Sequence, residues 1–162
     1  MASNYYVNGN TLVTADGSEL GLSEGSVTIS IQPKHLDIKV STFGETVPEM
    51  QAMLAEATIN MVLVYFDPDV VETVLRKSMA AGTLGQMPVA GTLMGAGGFF
   101  TSLKVNSPTG GRPWTFPGAV LTGNPVSWPL GNERTLLQMN FRAIPYSSDP
   151  HTAAGAVLFS RA

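Results

Sequence analysis

Two side chains in HLDIKVS, residues 35–41, have the types and spacing that metal binding uses. On an extended chain His35 and Asp37 point the same way, as two ligands of one ion must. The other histidine is His151 in the C-terminal tail, and no third ligand can be nominated, so a solvated strand face accounts for the pair. GAGG at 95–98 has the glycine content of a phosphate-cradling loop, but no Lys and Ser or Thr follow it, and it precedes a strand instead of opening a helix. Nucleophilic catalysis fares no better: there is no cysteine, no G-x-S-x-G elbow, and no pattern pairing either histidine with a serine. Asp67 and Asp69 are explained by a helix N-terminus. Trp114, Phe116 and Trp128 could stack a base or a sugar, yet large aromatics beside prolines in strand-rich chains anchor cores or interfaces. No catalytic group, cofactor site or metal site emerges, and an enzyme is the least supported class.

The elements carrying these residues are mostly strands. LLQMNFRA, residues 136–143, alternates without a slip, with Leu137, Met139, Phe141 and Ala143 on one side and Gln138, Asn140 and Arg142 on the other. SVTISIQ sets Val27, Ile29 and Ile31 against Ser26, Thr28 and Ser30. HLDIKVS sets Leu36, Ile38 and Val40 against His35, Asp37, Lys39 and Ser41. TINMVLVYF, residues 58–66, begins by alternating and then becomes apolar on both faces, as a strand covered on both sides does. Its cover follows directly. DPDVVETVLRKSMAAG reads as a helix with Asp67 and Pro68 at its start, Arg76 and Lys77 near its end and Gly82 as its stop. The helix stripe is Val70, Val71, Val74, Leu75 and Met79, and its valines make it dependent on packing against the sheet. Further strands are expected at 99–106, 114–122 and 134–144, with a short one in AVLFS. Strands thus outnumber helices by about seven to one, which favours an antiparallel β-sandwich or barrel carrying one flanking α-helix.

A chain of 162 residues with 44% hydrophobic content is expected to form a single domain with one core. Only 13% of residues are charged, while Gly (17) and Pro (11) are abundant, so turns are many and surface charge is sparse. A surface so poor in charge points to burial against other subunits. The formal charge of −3 and the scattered basic residues argue against a protein that grips nucleic acid. The start MASNYYVNGN has neither a basic nor an apolar targeting region, and no apolar run is long enough to span a membrane, so a soluble protein is expected. The absence of cysteine excludes disulfides and suits assembly in a reducing cytoplasm. Two stretches fit no regular element. Residues 42–57 carry Phe43, Val47, Met50, Met53 and Leu54, and residues 82–98 carry Leu84, Met87, Val89, Leu93 and Met94. Linkers are seldom so apolar, and Met-rich loops adapt to irregular partner surfaces.

The order of HLDIKVS, FGETVPEMQAML, ATINMVLVYF and DPDVVETVL, followed later by WTFPGAVLTGNPVSWPLGNERTLLQMNFRAIPY, resembles the major tail tube proteins of long-tailed bacteriophages over residues 10–146. The resemblance implies a β-sandwich with one helix, assembled as six-membered rings stacked into a tube through which double-stranded DNA passes. It implies a place in the virion tail, assembly in the host cytoplasm, and tape-measure, tail terminator and baseplate proteins as neighbours.

A wall that passes DNA must not hold it, so it must be hydrated and free of clustered Lys and Arg. The polar strand faces supply the candidate wall: Thr28, Ser30, Asp37, Lys39, Thr58, Asn60, Gln138, Asn140 and Arg142. Lys39 and Arg142 depart from that requirement: either nearby carboxylates such as Asp37 offset them, or the lumen and outer faces are exchanged for one strand. Residues 42–57 and 82–98 become candidate contacts between subunits and rings. A terminator, a baseplate ring or a type VI secretion tube would share this pattern, and a small β-barrel binding an apolar ligand is the rival from a different class.

Overall fold

The computed structural model describes residues 11–39, 42, 44, 49–95, 97–106, 112–122, 125–127, 136–145 and 157–161; the side chains of 53 and 54 are outside the description. The chain begins with a tight hairpin, β1 (Leu12–Ala15) and β2 (Ser18–Ser23), joined by Asp16 and Gly17 with φ of 50° and 82°. Two successive positive φ angles make the turn whose twist matches the flanking strands, and Asp-Gly is the dipeptide that adopts it readily.

Next come β3 (Thr28–Ile38), β4 (Glu49–Phe66), the helix α1 (Pro68–Ser78), β5 (Thr101–Val105), β6 (Trp114–Leu121), β7 (Leu137–Ala143) and β8 (Ser160–Arg161). Every pairing among the described residues is antiparallel. The order β2-β1-β5-β6-β7-β4 closes on itself where Gly21 and Leu22 of β2 meet Phe66 and Tyr65 of β4, forming a six-stranded barrel. Gly21 is required at that seam: a Cβ there would fall onto the Tyr65 carbonyl oxygen and within 3.0 Å of Phe66 Cα. Phe116, Phe141, Leu20, Ile59, Leu63, Leu103, Leu137 and Met139 are fully buried and fill the core.

The helix forms where expected. Asp67 caps it, accepting a hydrogen bond from the Asp69 backbone N–H at 3.0 Å, and Val71 and Val74 enter the core. Leu75 and Met79 are only half-buried, so the stripe is narrower than its sequence suggests. The stop is not Gly82. The helix ends at Ser78, with Met79 as C-cap and Ala80 in the left-handed region at φ 51°, and the Arg76 guanidinium donates to the Ala81 carbonyl at 3.0 Å. Lys77 pairs with Asp16 at 2.7 Å, and Ser78 Oγ accepts from the Leu121 N–H at 3.0 Å, fixing α1 to the β1–β2 turn and to β6.

The expected elements differ most at β3 and β4. The strands expected at 26–32 and 35–41 are one strand of 11 residues, and the strand expected from 58 begins at Glu49 and runs for 18. Residues 49–57 are therefore ladder, not connector. Register runs from Thr28↔Asn60 to Ile38↔Glu49, with a bulge at Lys34/His35 where β4 supplies the extra residue. Pro33 is tolerated because β3 pairs only with β4 among the described residues, and edge strands accept proline. The apolar phase changes from odd positions (Val27 just before β3, then Ile29 and Ile31) to even ones (Leu36, Ile38), which in sequence looks like two strands. The cause lies in β7, whose pairing with β4 ends at Ala57↔Ala143. Beyond that level the β3–β4 pair leaves the barrel as a two-stranded ribbon.

Candidate functional site

Above the core residues of β4 and β7, strand alternation puts polar groups on the barrel's outer face. Register aligns them in rows across three strands: Thr28, Asn60 and Asn140 in one, Ser30, Thr58 and Arg142 in the next. Gln138 lies opposite Val62 on the same face, and Gln32 opposite Glu56 continues it toward the ribbon. Thr28, Ser30, Thr58, Asn60, Gln138 and Arg142 are exposed and Asn140 is half-buried. Seven of the nine wall residues expected from sequence thus share one face.

Asp37 does not share it. Along an unbroken strand it falls on the odd side, with Ile29 and His35, opposite Thr28 and Ser30. Lys39 lies just past the end of β3. The carboxylate that offsets Arg142 is Glu56, which sequence reasoning missed because residue 56 lay inside an expected connector. Glu56 Oε1 is 3.0 Å from Arg142 Nη2 and 2.8 Å from Lys34 Nζ, so one oxygen from β4 takes cations from β7 and β3. The Lys34 hydrogen bond above all, then the charges of Lys34 and Arg142, hold the Glu56 carboxyl below its ordinary range against an opposing effect of partial burial. The signal was present in sequence: alternation in EATIN extends the Thr58, Asn60 face back to Glu56.

The ribbon carries apolar side chains that remain partly exposed in the subunit. Leu36 and Ile38, expected on a buried strand face, are 52% and 40% exposed, and Met50 is 60% exposed. The alternation reading fails for them because the barrel core, among the described residues, does not extend beneath the ribbon. In the segment after α1, Leu84, Met87, Val89 and Leu93 are exposed and Met94 is half-buried. Of the other expected contact residues, Phe43 and Val47 lie outside the described residues, as do the side chains of Met53 and Leu54.

The residues first considered for chemistry do not converge. His35 and Asp37 stand on the ribbon, and among the described residues no group of three His, Cys, Asp or Glu side chains is placed to hold a metal. Phe116 is core, stacked on half-buried Trp114 at 6.4 Å between ring centroids, with Phe159 5.3 Å from Trp114 and the Arg161 guanidinium 5.7 Å above it. Trp128 and His151 lie outside the described residues. An open cleft of about 170 Å³ runs between the β1–β2 turn and α1, lined by Ala15, Asp16, Val70, Thr73 and Val74. It lies at the barrel's margin, and Asp16 is already engaged by Lys77 and the Ser102 N–H. Among the described residues no helix is long and apolar enough to cross a membrane. No protein-family model and no curated protein matches the chain.

Proposed function

We propose that this chain is a structural subunit that assembles with its own copies into stacked rings forming a hollow tube, of the kind found in phage tails. The observation that carries the reading is the β3–β4 ribbon. It extends past the barrel with Leu36, Ile38 and Met50 exposed, and β3 offers a free edge along 11 residues among those described. A long free edge with few charges is a template for pairing with another chain. Two-stranded ribbons are marginal alone, so a ribbon of this length gains by docking.

The outer face of β3, β4 and β7 then serves as the channel wall. It is hydrated, mostly neutral and aligned in rows, and its cations are paired with Glu56. The six-membered ring, the virion location and the tape-measure, terminator and baseplate partners come from the resemblance to tail tube proteins. The filled core supports this reading over a ligand-binding barrel.

Negative-stain electron microscopy of the purified chain across a concentration range tests it. Stacked rings or tubes with a central channel are the expected outcome. Isolated rings that never stack would favour a terminator or baseplate role, and monomers at every concentration, with or without added tail-initiator complex, would refute the reading.

A further inference from the structure

Lys34 and Arg142 stand on a face otherwise built of Thr28, Ser30, Thr58, Asn60, Gln138 and Asn140. Both are water-facing, with side chains 41% and 49% exposed, and both converge on the same oxygen of Glu56. Two cations held that close, with hydroxyl and amide donors beside them, make the kind of surface that positions a phosphate backbone. Nothing in the packing requires the cluster, since exposed ion pairs contribute little to stability.

We infer that Glu56 is a specificity-determining residue of this face, present to mask Lys34 and Arg142 and so keep the wall from holding nucleic acid. The inference rests on the tube reading, and it assigns to a single carboxylate the nonadhesive property that such a wall needs. With Glu56 ionised, the cluster carries one net positive charge, and Lys34 Nζ and Arg142 Nη2 both point at its carboxylate. With a neutral amide there, the cluster carries two, and both cations are free to turn to phosphate. Repetition of the same cluster around a ring multiplies the effect, because every gained phosphate contact adds to the affinity and to its salt dependence.

The test compares the full-length chain with Glu56→Gln, Glu56→Asp and Glu72→Gln. Glu72 lies exposed on α1, away from the wall, so its substitution changes net charge equally without unmasking the cluster. The probe is a short labelled DNA duplex of mixed sequence, followed by fluorescence anisotropy between about 50 and 200 mM salt. Glu56→Gln is expected to bind about tenfold or more tightly than the wild type at the low-salt end, with a log–log salt slope steeper by about 1–2, one increment of about 0.9 per phosphate gained. Glu56→Asp and Glu72→Gln are expected to stay at the wild-type level, and adding Lys34→Gln with Arg142→Gln to Glu56→Gln is expected to abolish the gain. Equal affinity of Glu56→Gln and wild type overturns the inference, as does an equal gain for Glu72→Gln. Electron micrographs of the same wild-type sample separate the two claims. Tubes without a gain in DNA binding overturn the Glu56 inference alone, and a gain in a protein that stays monomeric at every concentration, even with added tail-initiator complex, overturns the tube reading that gives the mask its purpose.

Discussion

Replacing Leu36, Ile38 and Met50 by alanine together separates assembly from folding. Complete burial of such a side chain is worth about 1.5–3 kcal/mol relative to exposure, and these three are 52%, 40% and 60% exposed in the isolated chain. Docking can therefore recover about half of that value from each. At about 1 kcal/mol apiece, their loss removes about 3 kcal/mol per docked ribbon, or about two decades in an equilibrium constant. The covered part of each side chain, about half, is already packed in the free subunit, so the subunit also loses stability, by at most about 1 kcal/mol apiece. Pelleting across a dilution series gives the critical concentration for assembly, and urea unfolding of dilute protein gives the stability. The expected result is a critical concentration about 100-fold higher for subunits that remain folded, with the unfolding free energy lowered by no more than about 3 kcal/mol. An unchanged critical concentration would show that the ribbon is not the docking element. A loss of monomer stability well above about 3 kcal/mol would show instead that these side chains pack mainly within the subunit.

Three further outcomes follow from the same geometry. Gly21→Ala drives a methyl group into the Tyr65 carbonyl at the barrel seam and should cost about 1–3 kcal/mol or more in urea unfolding. Val74→Ala, at a position 1% exposed, should cost about 2 kcal/mol, and Leu75→Ala, half-buried beside it, should cost less; the reverse ranking by thermal or urea unfolding would mean that α1 is rotated. The folded-state pKa of Glu56 lies below its ordinary value of 4.5, so its pairing is fully present above that value and is lost as pH falls through the lowered one. Carboxyl NMR titration should show this, and Lys34→Gln with Arg142→Gln should return Glu56 to the ordinary range.

Strands with a single clean phase were legible before the structure. Leu137, Met139, Phe141 and Ala143 are buried as their alternation requires, and Asp67 with Pro68 marks the helix start. What escaped was structure that depends on long-range pairing. β1, with 4 residues, and β2, with 6, are too short to carry a strong period, and the Asp16-Gly17 turn was the signal that would have joined them. The phase change in β3 looked like a chain break because burial was assumed to continue along it. Burial stops instead where β7 stops, and no local pattern in β3 reports the length of β7. The helix end was misplaced for a related reason: Ala80 adopts a left-handed φ that its residue type does not advertise, while Gly82 advertises one that the stop does not use.

The wall and the ribbon are successive halves of the same two strands, and their requirements oppose each other. In the barrel half, Ile29, Ile59 and Phe141 supply the core, which leaves the outer face free to be hydrated. In the ribbon half cross-strand pairs are what hold β3 to β4 among the described residues, and Leu36, Ile38 and Met50 are about half-exposed in an isolated subunit. On the tube reading a second copy supplies the missing cover. Apolar surface then gathers where copies meet and hydrated surface where the channel runs, and the boundary between them falls at Lys34, Glu56 and Arg142. A charged cluster suits that boundary because it resists burial on either side. Its carboxylate comes from β4, the strand that belongs to both halves, so the residue masking the wall is set in register by the ladder that builds the ribbon.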